Sequence, residues 1–124
     1  MQSLNIEATE NSPKVSLDFE NGVIIFEGKS YPENTFEFYE PISKWLEKYF
    51  NGNAKETTTV EIKLSYFNSA TSQILFDLFD IINDGESHNL VINWYYDASK
   101  KSGLKDYEDY AEEFEDLNIK AIEF

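Results

Sequence analysis

Hydrophobic and polar residues alternate along several short stretches of the chain, which is the pattern of β-strands with one buried face. The clearest stretch, Thr57–Phe67, places Val60, Ile62, Leu64 and Tyr66 on one face. Its β-branched and aromatic residues also favour a strand. Shorter patterns predict four further strands, and a Glu-Asn-Gly turn at positions 20–22 joins the first two. The predicted ranges of these four strands are 14–19, 23–26, 90–96 and 118–124.

Apolar residues recur every three or four positions in three other segments, which predicts helices. The first begins after Asn34, a helix N-cap with Glu37 three residues later, and ends near residue 50. Pro41 lies inside this segment and predicts either a kink or, preferably, a single turn before a helix that starts at Pro41 itself. The second helix covers 73–83 and is apolar nearly all round, and the third lies within 102–117.

The predicted elements follow the order ββαβαβαβ. Strand–helix–strand units of this length favour right-handed crossovers and a mixed sheet covered by helices. Residues 1–12 carry no clear pattern and are expected to form a loose or edge-pairing N-terminal arm. We therefore predict one α/β domain spanning residues 1–124.

Charge and composition exclude several classes of function. The 24 acidic and 10 basic residues, all of the latter lysines, give a net charge of −14. Such a chain repels nucleic acid and anionic lipid, so neither is an expected partner. Without arginine it lacks the usual phosphate clamp. The chain has no run of about 20 apolar residues, no signal peptide and no cysteine, which together indicate the cytosol.

The sequence offers few candidate catalytic residues. The single histidine, His88, lies in a predicted loop and is interpreted as solvated. The glycines are scattered at turns and form no phosphate-binding loop. Acidic residues at 106–116 fit the outer face of the third helix better than a metal site. We expect no cofactor, no metal and no enzymatic activity.

The polar elbow at positions 68–72 runs from the strongest strand into the second helix. Ser69 is interpreted as the helix N-cap. A helix N-terminus also tolerates an anion, so Ser69 could carry a phosphate, with Thr71 and Ser72 as the alternative acceptors. Further along this helix, Phe76 and Phe79 cannot both share the main apolar face, so Phe76 is either a partner contact or is buried under a neighbouring helix.

Three segments in register carry a family resemblance that covers nearly the whole chain: Ser-Tyr-Pro-Glu-Asn at 30–34, Tyr-Phe-Asn-Ser at 66–69 and Trp-Tyr-Tyr-Asp at 94–97. The sequence resembles the SiaC family of bacterial regulatory phosphoproteins, whose fold is similar to the STAS domain of anti-sigma-factor antagonists. The resemblance implies a phosphoacceptor at Ser69, where the closest family pattern has threonine. It also implies a partner kinase, a metal-dependent serine/threonine phosphatase and an output protein, which in the best-known pathway is a diguanylate cyclase controlling biofilm formation.

The resulting hypothesis is a phosphorylation-gated binding protein in cyclic-di-GMP signalling. Its expected partner-binding residues lie at the elbow and in the two flanking motifs: Asn68, Ser69, Ala70, Phe76, Tyr31, Asn34, Trp94 and Tyr96. The alternative is a small-ligand or nucleotide-binding sensor built from the 31–34 loop and residues 94–96. The lack of arginine and of a glycine-rich loop counts against this alternative, and an enzyme ranks third.

Overall fold

The structure, a computed structural model, describes residues 1–86 and 89–124. Within these residues lie six strands and three α-helices. In chain order they are β1 (Leu4–Ile6), β2 (Lys14–Asp18), β3 (Val23–Ser30), α1 (Thr35–Lys48), β4 (Thr57–Phe67), α2 (Ser69–Asp84), β5 (Asn89–Tyr96), α3 (Lys101–Glu113) and β6 (Ile119–Glu123). A π-helical turn, Tyr49–Asn53, follows α1. No helix of the described ranges is long and apolar enough to cross a bilayer.

The strands form one mixed sheet in the order β1-β2-β3-β4-β5-β6. β1, β2 and β3 are antiparallel neighbours, whereas β3, β4, β5 and β6 run parallel. Each of the three parallel connections contains one helix and leads to the adjacent strand, always toward the β6 edge of the sheet. Right-handed crossovers of this kind place all three helices on one face of the sheet.

The core lies between that face and the helices. Register aligns Ile24, Val60 and Ile92 across the sheet, and all three side chains are fully buried. Their neighbours on the opposite face, such as Ile25 and Glu61, are only half-buried. The predicted α/β class and single mixed sheet are therefore confirmed, but the helices cover one face and not both.

The N-terminal arm pairs with the edge of the sheet through Leu4–Ile6, so of the two expected states the edge-pairing arm is confirmed for these residues and the loose arm is wrong. Leu4 lies opposite Leu17 in β2. The indole Nε1 of Trp45 donates a hydrogen bond of 2.7 Å to the carbonyl of Gln2, which fastens the arm against α1. The observed order therefore has one strand more than the predicted ββαβαβαβ.

Helix α1 is continuous through Pro41, so the expected helix start at Pro41 is wrong. Asn34 caps the helix as predicted, its Oδ1 accepting from the backbone N–H of Glu37 at 3.0 Å. Proline removes one backbone donor, and the carbonyl it would have served belongs to Glu37, four residues earlier. Both residues are exposed, so water can satisfy that carbonyl without breaking the helix.

Candidate functional site

The parallel strands β3–β6 end at one edge of the sheet, which is where parallel α/β sheets commonly hold their binding sites. β3 ends at Ser30, β4 at Phe67 and β5 at Tyr96. The backbone N–H of Asn68 donates to the carbonyl of Ser30 at 3.1 Å, so the first two of these ends are joined directly. The three motifs predicted to form the site therefore meet at this edge.

Asn68 is the N-cap of α2, so the prediction that Ser69 caps the helix is wrong. Asn68 has an extended backbone, with φ −86° and ψ 177°, and its Oδ1 accepts from the N–H of Thr71 at 2.9 Å. Its carbonyl accepts the first helical hydrogen bond, from Ser72 at 3.0 Å. Both Asn and Ser can cap, and the extended conformation that ends β4 falls on Asn68.

Ser69 is consequently the first residue of α2, and its side chain is exposed together with that of Ala70. Within the described part of the chain, the Ser69 hydroxyl makes no hydrogen bond. Because the N–H groups of Thr71 and Ser72 already donate to Asn68, an anion attached here would accept from the backbone N–H groups of Ser69 and Ala70. The site thus offers an accessible hydroxyl at the positive end of a 16-residue helix.

Thr71, the first alternative acceptor, is fully buried. Its Oγ1 donates to the carbonyl of Ser30 at 3.0 Å and lies 2.9 Å from the Ser30 hydroxyl. That hydroxyl lies 2.8 Å from the hydroxyl of Tyr39 in α1. Burial raises the pKa of Tyr39 to about 12. These three hydroxyls tie β3, α1 and α2 together behind the elbow, out of reach of a kinase.

Ser72, the second alternative, is half-buried against α3. Its Oγ lies 3.1 Å from the hydroxyl of Tyr110, and that hydroxyl also donates to the Ser72 carbonyl at 3.1 Å. Tyr110 is buried, and this burial raises its pKa to about 12. Ser72 therefore holds α2 to α3, whereas the Ser69 side chain makes no such hydrogen bond within the described residues.

Two tyrosines lie next to the strand ends that form the elbow: Tyr31 directly follows β3, and Tyr66 lies near the end of β4. Their rings meet edge to face with centroids 5.8 Å apart. They are 37% and 53% exposed, which is unusual for side chains of this size. The Tyr31 hydroxyl donates to the carbonyl of Glu10 at 3.2 Å and holds the loop in place. An exposed, fixed aromatic pair is a common feature of partner-binding surfaces.

Sequence alternation assigned Tyr66 to the buried face of β4, and the structure exposes it. The register between β3 and β4 shifts after Gly28, which pairs with Leu64, whereas Lys29 pairs with Tyr66. The extra residue in β4 is Ser65. A bulge of this kind reverses the inward–outward alternation beyond it. The glycine at position 28, with φ +119°, is the one sequence signal that pointed to the bulge.

The residues of the third motif are not all available to a partner. Trp94 is 3% exposed and packs between Phe79 and Tyr110, with ring centroids 6.2 and 4.7 Å away. It is a core residue, and its assignment as a partner contact is wrong. Tyr96 is half-buried at the end of β5. Asn34 is exposed but serves as the cap of α1.

Phe76 lies under α3, which settles the two interpretations of this side chain in favour of packing. Its ring stacks on Tyr110 with centroids 4.2 Å apart and an interplanar angle of 11°, and lies 6.1 Å from the ring of Phe114. It remains half-buried. A partner could therefore reach only one edge of this ring.

A cavity of about 290 Å³ opens between the ends of β4 and β5 and the start of α3. Its charged lining residues are Asp97, Lys100 and Asp106. Hydrogen bonds from Ser99 lower the pKa of Asp97, while burial raises that of Asp106. Residues 94–96 line this cavity, but the 31–34 loop does not, so this cavity does not join the two segments of the alternative ligand site.

The described residues contain no group of three or more His, Asp and Glu side chains that could hold a metal ion. The acidic residues of α3 lie mostly exposed, and Lys105 pairs with Asp109 at 2.6 Å. His88, interpreted above as a solvated loop residue, lies outside the described residues.

Fold and elbow together define a single-domain α/β protein with an exposed serine where the strand β4 passes into α2. A family model described as SiaC family regulatory phosphoprotein matches residues 6–124. The chain belongs to this family, as its three motifs predicted.

Proteins of Pseudomonas aeruginosa are similar over nearly the whole length of the chain. An uncharacterized protein from strain UCBPP-PA14 is 24% identical over 115 residues, covering 91% of this chain and 90% of that protein. The crystal structure of apo-SiaC from P. aeruginosa, 23% identical, matches with a TM-score of 0.75 over 99% of this chain and 98% of its own.

A chain in the crystal structure of the P. aeruginosa diguanylate cyclase SiaD in complex with its activator SiaC is 22% identical. It matches with a TM-score of 0.80 over 98% of this chain and 99% of its own. These likenesses confirm the single-domain α/β fold.

Proposed function

We propose that this protein is a non-enzymatic bacterial signalling protein whose unphosphorylated form binds an output partner such as a diguanylate cyclase. Phosphorylation of Ser69 would end that contact. The observation that carries the proposal is that Asn68, and not Ser69, caps α2. The exposed hydroxyl of Ser69 is therefore available for modification. Membership of a regulatory phosphoprotein family and the similarity to an activator of a cyclase support it.

Accessibility favours Ser69 over its two neighbours. Transfer of a phosphoryl group requires the acceptor hydroxyl to enter a kinase active site. Thr71 is fully buried within a hydrogen-bonded group, and Ser72 is held by Tyr110. Either would require α2 to unfold locally, whereas Ser69 lies on the surface of the folded protein. We propose Ser69 as the single acceptor.

The effect of a phosphate at this position would be local. It adds a charge of about −1.5 to −2, and the N–H groups at the start of α2 or water can donate hydrogen bonds to it without refolding of α2. The surface that changes includes Ala70 and the tyrosines Tyr31 and Tyr66, which we propose as contacts of the unmodified form. Bulk and a strongly hydrated charge on this surface would exclude an apolar partner.

The proposal requires other proteins and no cofactor. A serine/threonine kinase would add the phosphate, a metal-dependent phosphatase would remove it, and the output protein would read the unmodified surface. We propose that this exchange takes place in the cytoplasm, where ATP supplies the phosphoryl group.

Mapping the modification tests the proposal. The protein is incubated with ATP and the cognate serine/threonine kinase from the bacterium that produces it. The intact mass of the protein and the fragmentation of its peptides are then analysed. We expect one added phosphate, on Ser69, that is lost in Ser69→Ala and kept in Ser69→Thr. Ser65→Ala, an exposed serine at the end of β4, is the matched control and should be labelled normally. Full labelling of Ser69→Ala would refute the assignment.

A further inference from the structure

A groove of about 560 Å³ runs between the outer faces of α1 and α2, on the side of the helices away from the sheet. It lies apart from the elbow and contains none of the motif residues discussed above. Its apolar residues come from both helices, and charged residues line its two rims. The lining residues that carry the argument are Phe36, Ile74 and Ile81, with Glu40, Asp77 and Asp80.

The floor of the groove is apolar. Ile74 and Ile81 are half-buried, and Phe36, at the start of α1, is 68% exposed. Among the large hydrophobic side chains of the described residues, Phe36 has the largest exposed fraction. Folding gains little from an aromatic ring left in water, whereas covering it on binding contributes hydrophobic free energy. The groove has the apolar floor of a docking site for another side-chain surface.

The rims are acidic. The groove is lined by four carboxylates and one lysine, and that lysine, Lys44, is already paired with Glu40 at 3.2 Å. A neighbouring depression shares Glu47 and Ile81 with the groove and adds Asp84 and Glu86. The complementary surface must therefore be cationic at its margins and apolar along its centre.

Dimensions point to a helix as the occupant. From Phe36 to Glu47 the groove follows α1 over twelve residues, whose eleven rises of 1.5 Å make about 16 Å or three helical turns. α1 and α2 both return from parallel strands, so they run side by side in the same direction. Two such helices present a furrow into which a third helix packs its side-chain ridge.

We propose that this groove, lined by α1 and α2, binds a cationic amphipathic helix of the output partner. The partner would place leucine-like side chains against Phe36, Ile74 and Ile81, with lysine or arginine over the carboxylate rims. This inference rests on the proposed function, because it names the surface that an output partner contacts. Ala70 lies one turn before Ile74 on α2, and Ser69 is not among the lining residues, so the groove and the elbow are two separate parts of the proposed partner surface.

A synthetic peptide serves as the probe. It has 15 residues, with leucines at spacings of three and four on one face and lysines elsewhere. A second peptide of the same composition has its leucines spread around the helix. Titration calorimetry and amide chemical shifts of the labelled protein report binding. We expect the amphipathic peptide to bind, with shifts confined to α1 and α2, and the second peptide to bind at least about tenfold more weakly.

Charge reversal tests the specificity of the rims. Asp77→Lys with Asp80→Lys changes the net charge by +4, as does the control pair Glu108→Lys with Glu112→Lys on α3; all four residues are exposed. We expect the groove pair to weaken peptide binding by at least about tenfold and the control pair by less than about twofold. Equal effects of the two pairs, or shifts on the open face of the sheet, would overturn the inference.

The same variants separate this inference from the proposed function. Phe36→Ala and the groove pair should abolish binding of the output partner while leaving Ser69 phosphorylation intact. If the partner still binds Phe36→Ala and the groove pair but not phosphorylated protein, the groove assignment is wrong and the switch stands. If the peptide and the partner bind in the groove and Ser69 accepts no phosphate, the switch is wrong and the groove stands.

Discussion

The side-chain Oδ1 of Asn68 lies 2.9 Å from the backbone nitrogen of Thr71 and accepts its hydrogen bond. This contact places the N-cap of α2 one residue before the proposed modification site. Had Ser69 been the cap, attaching a phosphate would have replaced a structural hydrogen bond. With Asn68 in that role, the helix cap and the proposed phosphoacceptor hydroxyl belong to different residues, so a modification of Ser69 would change the surface without loss of the fold.

The first prediction separates these two roles by stability. Asn68→Ala should lower the free energy of unfolding by about 0.5–2 kcal/mol because it removes the cap. Ser69→Ala should change it by no more than a few tenths, since alanine is a good residue inside a helix. Chemical denaturation measures both. Asn68→Asp keeps a capping oxygen and is the control. A larger loss in Ser69→Ala than in Asn68→Ala would contradict the assignment of the cap.

The second prediction concerns the buried hydroxyl of Thr71. Thr71→Val keeps the shape of the side chain and removes the donor to the Ser30 carbonyl. The Ser30 carbonyl keeps the hydrogen bond from the N–H of Asn68, so the loss of this one bond should cost about 0.5–1.5 kcal/mol of unfolding free energy. Thr71→Ser keeps the hydroxyl and should lose less. If denaturation finds Thr71→Val as stable as the unchanged protein, the hydroxyl group behind the elbow does not hold these elements together.

The third prediction is a loss of stability at alkaline pH. Burial raises the pKa of Tyr39 to about 12 in the folded protein, whereas in the unfolded chain it is about 10. Unfolding therefore releases a proton between these values. The contribution of Tyr39 is complete below pH about 10 and falls as pH rises toward about 12, by at most about 1.4 kcal/mol per pH unit.

Tyr39→Phe tests this dependence. It should weaken the protein at neutral pH by about 1 kcal/mol, through the lost bond to Ser30, and should flatten the decline above pH 10. Tyr110, with a pKa of about 12 from burial, keeps part of the decline in that variant. Unfolding free energies measured from pH 8 to about 11.5 decide the matter. An unchanged slope in Tyr39→Phe would mean that its phenol is not buried.

Long segments with strong patterns were predictable from sequence. Strand β4 has the predicted ends, and α2 contains the whole predicted helix. β1 was not predictable as a strand because three residues carry too little pattern, and its pairing depends on β2. The continuity of α1 depended on whether Pro41 faced water, which is a property of the packed helix and not of the proline alone.

The site was predictable in place but not in detail. The elbow follows from a strand running into a helix, yet adjacent Asn68 and Ser69 are both good caps, and only the backbone conformation distinguishes them. Trp94 alternates with its neighbours, and the register of β5 turns it into the core. The bulge at Ser65 exposes Tyr66, which alternation alone assigns to the interior.

The central claim is that the Ser69 surface is read by contact. A phosphate on Ser69 would take the net charge from −14 to about −16, so long-range attraction or repulsion would change little. Local bulk and the cost of removing water from the phosphate would then account for the proposed loss of binding. A contact effect and a long-range effect differ in their response to salt.

Titration calorimetry of the host's output partner, with unmodified and with phosphorylated protein, tests this claim most directly. Ser69→Asp is measured beside the phosphorylated form, and Ser69→Ala is the control that should still bind. The titrations are made at low salt and at about 1 M salt, where the screening length is about 3 Å. We predict that the unmodified protein binds at least about tenfold more tightly at both salt concentrations. Equal binding of the two forms, or full recovery of the phosphorylated form at high salt, would contradict the account.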